Sequence, residues 1–163
     1  MSATIQDVQD YLYDHIPITQ HLGIQVMDAT DTWIKLSAPL EANLNHRNTA
    51  FGGSLSSIGI MAGWALLHRW LTGQGLSVRL VIQHSEMDFL KPVDDDFVAK
   101  CQFESPDACA RFINMLKRKG KARMTLNTDI TCHEQVMAKN KGDFVAVLIS
   151  PMTSGMSKGV PYA

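Results

Sequence analysis

Two adjacent glycines, Gly52 and Gly53, precede a long apolar segment and can carry chemistry through the backbone alone. If a helix begins at this pair, both N–H groups are among the donors that its first turn leaves unpaired. Such donors, helped by the helix dipole, can hold a carbonyl oxygen and stabilise the oxyanion that forms when water attacks it. The alternative is a glycine turn that serves only to pack Phe51 against a sheet.

Polar residues flank the glycine pair on both sides. Asn45 can orient a water molecule or a substrate amide, or it can simply cap a turn. His46 and Arg47 follow it; His46 is a candidate base, and Arg47 can meet phosphate groups. Ser54 is not in a nucleophile elbow, because Ser56 stands where that motif needs glycine, and we expect an early-helix hydroxyl that at most hydrogen-bonds a substrate.

A general base is predicted on the segment that follows the helix. Every second residue from Val78 through Leu80 and Ile82 to His84 lies on one face of the predicted strand. The alternation then changes phase, so that Met87 takes an apolar position, which indicates a bulge. His84 would then continue the apolar face and lie beside the site.

Glu86 and Asp88 are the other candidates for the base on this segment. A carboxylate there can deprotonate water if burial raises its pKa, whereas the alternative is an exposed strand residue.

No metal or cofactor site is expected from local motifs. The six histidines form no HxxxH or HxH pair, and the three cysteines form no CxxC pair. The sequence also has no phosphate-binding Walker loop and no dinucleotide GxGxxG motif.

Composition limits the classes of partner. The formal net charge of −1 and pI near 6.6 predict neither nucleic-acid nor membrane binding. The basic run at residues 117–123 is interpreted as a solvated turn or, less simply, a contact for a phosphorylated ligand. The apolar run at residues 58–67 is too short to span a bilayer, and no secretion signal is apparent, so a cytoplasmic location is expected.

The chain of 163 residues is predicted to form one domain over residues 1–150, with a flexible tail at 151–163. Ser2 or Thr4 can cap a first helix that Pro17 closes. Two strands from residue 23, strands after Ser77 and Pro92, and a helix between Ser105 and Gly120 are expected. A regularly alternating strand covers residues 121–132, and a turn at 140–143 should precede the last strand.

The segment from Phe51 to His68 is apolar on every side of a helical wheel, and its small residues allow close approach of other backbones. Such a helix must be surrounded. The economical arrangement is an antiparallel sheet of about six strands curled around it, which is an α+β fold.

The sequence resembles hotdog-fold acyl-CoA thioesterases, in which N-x-x-x-x-x-H-G-G precedes a long helix and a bent strand ends before a basic residue and Pro-Val. The matching residues are Asn45, Phe51-Gly52-Gly53 and the segment FLKPV at 89–93. The segments TAFGGSL and AGW are most similar to the thioesterase-like domain fused to some bacterial GNAT-type acetyltransferases. The resemblance implies a hotdog fold, a homodimer or dimer of dimers, and a site at the subunit interface for acyl-CoA or acyl-carrier protein.

Two departures from the family pattern matter. Phe51 replaces the histidine before the glycines, and the helix has no acid at or near Ile60, where many thioesterases place one. The resemblance therefore supports two hypotheses: thioester hydrolysis with a base from elsewhere, or an acyl-CoA or acyl-carrier binding module without catalysis. Acetyl transfer is not expected, because the GNAT pyrophosphate loop does not occur.

Overall fold

The structure is a computed structural model that describes residues 3–149. Its helices are α1 (Ile5–His15), α2 (Ile18–His21), α3 (Gly52–Gly73) and α4 (Pro106–Lys119), with a short 3-10 helix at Glu41–Asn43. Its strands are β1 (Gln25–Ala29), β2 (Trp33–Ala38), β3 (Val78–Phe89), β4 (Phe97–Gln102), β5 (Lys121–Cys132) and β6 (Gln135–Leu148). The strands form one antiparallel sheet in the order β1-β2-β4-β5-β6-β3.

Helix α3 is the centre of the core, and the sheet packs around it through β2, β3, β4, β5 and β6. Ala62, Ala65, Leu67 and Leu71 are all buried, and at helical spacing they lie on different sides of its axis. Burial on several sides follows from a helix that is apolar all round. The predicted α+β arrangement of a six-stranded antiparallel sheet around one long helix is confirmed.

Capping residues determine where helices α1 and α4 begin, and a glycine ends α4. The side chain of Thr4 accepts a hydrogen bond from the N–H of Asp7, whose carboxylate accepts one from the N–H of Thr4, which closes a capping box at α1. Ser105 caps α4, and Gly120 ends it in the left-handed conformation with φ 71°. The basic run at 117–123 is therefore the last turn of α4 and the start of β5, and only Gly120 lies between them.

The turn predicted at residues 140–143 is wrong, because β6 runs without interruption from Gln135 to Leu148. Asn140 and Gly142 face the core, whereas Lys141 is exposed, so the residues of this segment alternate between buried and exposed as in a strand. A Cβ atom on Gly142 would lie 2.8 Å from the Phe144 ring, so this glycine makes room for an aromatic side chain.

The connection between β5 and β6 instead lies at His133 and Glu134, whose φ angles are 50° and 60°. Among residues 3–149, the structure contains no helix long and apolar enough to cross a membrane. The predicted tail at 151–163 lies outside the described residues, as does Ser2.

Candidate active site

A turn held by the side chain of Asn45 leads into α3. Its Nδ2 donates to Oγ1 of Thr49 at 2.9 Å and to the carbonyl of Ala50 at 3.3 Å. Its Oδ1 accepts from the N–H groups of Arg47 at 2.8 Å and Thr49 at 3.2 Å. Both ends of the amide are thus engaged in the turn, which favours the turn-capping interpretation of Asn45.

Two backbone hydrogen bonds fix the chain just before the helix. The N–H of Ala50 donates to the carbonyl of Val93 at 2.7 Å, and the N–H of Phe51 donates to the carbonyl of Asn43 at 2.7 Å. The helix then begins at Gly52 without a side-chain cap.

The N–H groups of Ser54 and Leu55 donate to the carbonyl of Phe51. The N–H groups of Gly52 and Gly53, by contrast, find no acceptor within residues 3–149. The helix start therefore presents two adjacent donors, as the sequence predicted.

Two exposed aromatic rings flank these donors. Ring atoms of Phe89 lie 3.4 Å from the position of a Cβ on Gly52, and the Phe51 ring lies directly against Gly53. Both phenylalanines are more than half exposed, at 57% for Phe51 and 56% for Phe89. Large exposed apolar groups around a polar centre are typical of ligand or partner contacts.

The other predicted residues of this segment divide by burial. Ser54 is buried in the first turn of α3, whereas His46 and Arg47 are exposed on the turn that Asn45 holds. The structure therefore places the two basic side chains near the helix start and exposed to solvent.

The predicted location of His84 on the apolar face is wrong. The register of β3 against β6 shifts between Ile82 and His84, so that Ile82 pairs with buried Phe144 while His84 pairs with Asp143. A bulge reverses the alternation of faces, and here it comes before His84 rather than after it. His84 consequently lies on the face of the sheet turned away from α3 and is exposed.

His84 and Glu86 form a pair on that outer face, with 3.0 Å between Nε2 of His84 and Oε1 of Glu86. The hydrogen bond from His84, followed by the positive charge of Lys141, holds the pKa of the Glu86 carboxyl below its usual value. Glu86 is thus an exposed strand residue, the alternative stated above, and the condition that burial raises its pKa is not met. Asp88 is exposed on the same face and pairs with Lys139 across the strands.

The structure also reveals buried polar groups beneath the middle of α3. Oγ1 of Thr128 donates to the carbonyl of Gly59 at 3.3 Å, and Nδ2 of Asn140 donates to Oγ of Ser85 at 2.8 Å. The alternation of β5 already placed Thr128 inside, but the turn predicted at 140–143 concealed Asn140.

A family model described as "Putative thioesterase (yiiD_Cterm)" matches residues 5–148 of the chain. The chain belongs to this thioesterase family. Three solved structures share its fold, and they confirm the predicted hotdog architecture.

The first, a protein of unknown function from Chlorobaculum tepidum TLS, is 28% identical and aligns with a TM-score of 0.83, over 87% of this chain and 93% of its own. The structure of a "putative thioesterase" from Shewanella oneidensis is 23% identical, with a TM-score of 0.79, over 88% of this chain and 96% of its own. A structure from Pseudomonas aeruginosa, described as a "Probable Thioesterase", is 16% identical, with a TM-score of 0.80, over 91% of this chain and 99% of its own.

In this member of the thioesterase family, the chemical groups next to the helix start are backbone donors and aromatic rings. The backbone supplies two N–H donors, and the side chains beside them are aromatic rather than acidic or basic. The whole of α3, Gly52–Gly73, contains no carboxylate. The arrangement can bind and polarise a carbonyl group, but any base must come from another element.

Proposed function

We propose that this thioesterase-family protein hydrolyses an acyl thioester, with acyl-CoA or an acyl-carrier protein as substrate and no cofactor. The proposal rests mainly on one observation: the N–H groups of Gly52 and Gly53 have no acceptor within residues 3–149 and lie between the exposed rings of Phe51 and Phe89. Donors between apolar walls suit a polar carbonyl joined to an apolar chain.

In the proposed reaction, water attacks the carbonyl carbon and the oxygen becomes an oxyanion held by the two glycine N–H groups. Collapse of this intermediate breaks the carbon–sulfur bond; the thiolate leaves and takes up the proton that the base accepted from water, and the acyl group remains as a carboxylic acid. The acyl chain would lie along Phe51 and Phe89. Arg47 and His46, exposed on the neighbouring turn, would face the polar part of the substrate.

The base is proposed to come from β3 of a second subunit. This strand stands at the end of the sheet order, so one of its edges has no partner strand among residues 3–149. Pairing of two such edges would form a homodimer, on which a dimer of dimers could build. Glu86 is the proposed acceptor of the water proton, with His84 as its hydrogen-bond partner. Its lowered pKa makes it a weaker base than an ordinary carboxylate, and its place on the outer face of β3 requires the dimer contact to bring that face to the partner's helix start.

A second candidate function is acyl-CoA or acyl-carrier binding without hydrolysis. The observation that favours it is the composition of α3, which carries no carboxylate between Gly52 and Gly73. A site with an oxyanion pocket but no base would hold the thioester without turning it over.

An acyl-CoA panel separates the two functions. The full chain is incubated with straight, branched and aromatic acyl-CoAs, and the released thiol is measured with a chromogenic thiol reagent alongside binding by calorimetry. Hydrolysis predicts turnover of at least one class, whereas the binding module predicts affinity without thiol release. Neither binding nor release, for CoA or carrier-protein substrates, contradicts both.

A further inference from the structure

We propose that Asp94, Cys132 and His133 form a binding site for one Zn²⁺ ion, separate from the helix start and independent of the function proposed above. The carboxylate oxygen, the thiol sulfur and the imidazole nitrogen all lie within 4.8 Å of one another. Within residues 3–149, this is the one group of three or more His, Cys, Asp or Glu side chains whose ligand atoms lie close enough to share a metal ion.

The three donors are of the types that zinc prefers. Zn²⁺ accepts thiolate, imidazole and carboxylate ligands in a tetrahedral arrangement, and a site with three protein ligands leaves the fourth position to water. At zinc bond lengths, the ligand atoms of a tetrahedron lie about 3.3 to 3.6 Å apart. Nε2 of His133 and Oδ1 of Asp94 are 2.9 Å apart and would have to separate slightly, whereas the thiol sulfur, which lies within 4.8 Å of both, would move closer to them by up to about 1 Å.

The burial of the ligands gives the site an inner and an outer side. Cys132 is buried at 3% exposure, while the side chains of His133 and Asp94 are 54% and 63% exposed. A metal ion can therefore approach from solvent, with the thiol at the inner end of the site. Zinc binding would release the thiol proton and any proton on Nε2 of His133 to solvent.

The backbone at the turn has the left-handed conformation of a tight hairpin. His133 and Glu134 both have positive φ, at 50° and 60°, in a two-residue hairpin connection that normally favours asparagine and glycine. Non-glycine residues in such a conformation cost free energy and are concentrated at functional sites. Here the conformation holds the His133 ring against Asp94.

Zinc at this position would join the loop that supports the helix start to the end of a core strand. Asp94 follows Val93, whose carbonyl accepts the hydrogen bond from Ala50, while Cys132 ends β5 and His133 follows it. An ion shared by these residues would tie the loop after β3 to the β5–β6 turn. The expected effect is a gain in thermal stability rather than a part in the reaction.

The test uses the full chain freed of metal with a chelator and titrated with Zn²⁺ against a chromophoric competitor. One Zn²⁺ per chain is expected, together with a rise in Tm. Co²⁺ in place of Zn²⁺ should show thiolate-to-metal charge-transfer absorption. Asp94→Asn and His133→Asn should each weaken Zn²⁺ binding at least tenfold and remove the Tm rise; asparagine tolerates the left-handed conformation, so the turn is kept.

Matched controls are His21→Gln and Cys109→Ala, which remove an exposed imidazole and a half-buried thiol elsewhere. Both should bind Zn²⁺ as the wild type does. The proposal is overturned if the chain takes up no Zn²⁺, if Asp94→Asn and His133→Asn bind it undiminished, or if the cobalt form lacks the thiolate band. Because both ligand variants are at exposed positions, failure to fold is not expected to obscure the result.

Discussion

Gly59 of α3 and Asn140 of β6 are in contact so close that a Cβ atom on Gly59 would lie 2.7 Å from Cβ of Asn140. Alanine is favoured over glycine in a helix by about 1 kcal/mol. The overlap with an atom next to the strand backbone should outweigh this gain, so Gly59→Ala is expected to lower the free energy of unfolding by about 1 to 3 kcal/mol. Urea denaturation measures the change. Ser57→Ala, on the same helix, adds no atom and serves as control; a Gly59→Ala protein at least as stable as wild type would contradict the prediction.

The proposed oxyanion donors can be tested one N–H at a time. Gly52→Pro removes the N–H at the first helical position, where proline is well tolerated, and Phe51 already has the extended backbone, with ψ 133°, that precedes proline. Turnover of the best substrate from the panel should fall by about 100-fold or more. Gly52→Ala keeps the N–H and meets only the Phe89 ring at 3.4 Å, so it should stay near wild type. Equal losses in the two variants would exclude the backbone-donor mechanism.

The role proposed for Glu86 predicts a pH effect with a definite sign. If its carboxylate accepts the water proton, Glu86→Gln should lower kcat at least tenfold. The hydrogen bond from His84 is the main cause of the lowered pKa of Glu86, so His84→Ala, which removes the donor, should raise this pKa. The acid limb of the kcat profile should then move to higher pH. Wild-type kcat in Glu86→Gln would show that the base lies elsewhere.

Acid should destabilise the protein through His68. Its ring stacks on Trp64, with centroids 4.6 Å apart, and burial, followed by the charge of His15, lowers its pKa from the usual 6.5. The unfolded chain therefore takes up this proton at a higher pH than the folded protein does. The contribution of neutral His68 to the free energy of unfolding is fully present above about pH 6.5, and it is lost as the pH falls from there toward the lowered pKa of the folded protein. His68→Gln should flatten the stability profile measured by urea denaturation between pH 7 and 5; an unchanged slope would assign the effect to other groups.

Features with local signals were predictable from the sequence. The capping residues of α1 and α4 lie within one turn of the helix that they begin, and the alternation of β5 is complete within the strand itself. The donors at Gly52 belong to the same class, because a glycine pair before an apolar run identifies the helix start without any distant contact. Burial of α3 followed from its apolar circumference.

Features that depend on strand register could not be predicted. The phase change in β3 indicated a bulge, but only pairing with β6 determines on which side of His84 the bulge lies. The lowered pKa of Glu86 depends partly on Lys141 of the neighbouring strand. Gly142 suggested a turn, because the sequence does not show the contact with Phe144 that requires a glycine there. In the same way, Asp94 and the Cys132–His133 pair are far apart in sequence, and no motif joins them.

The hydrogen bond from Ala50 to Val93 has a consequence for the order of folding. It joins the residue two positions before α3 to the loop after β3, so it closes a segment of chain that contains both elements. Closing so long a loop is entropically costly until β3 has paired with β6. The turn that presents Gly52 should therefore take its final shape late in folding. A chain whose edge strand is unpaired would lack the proposed carbonyl site even with its central helix fully formed.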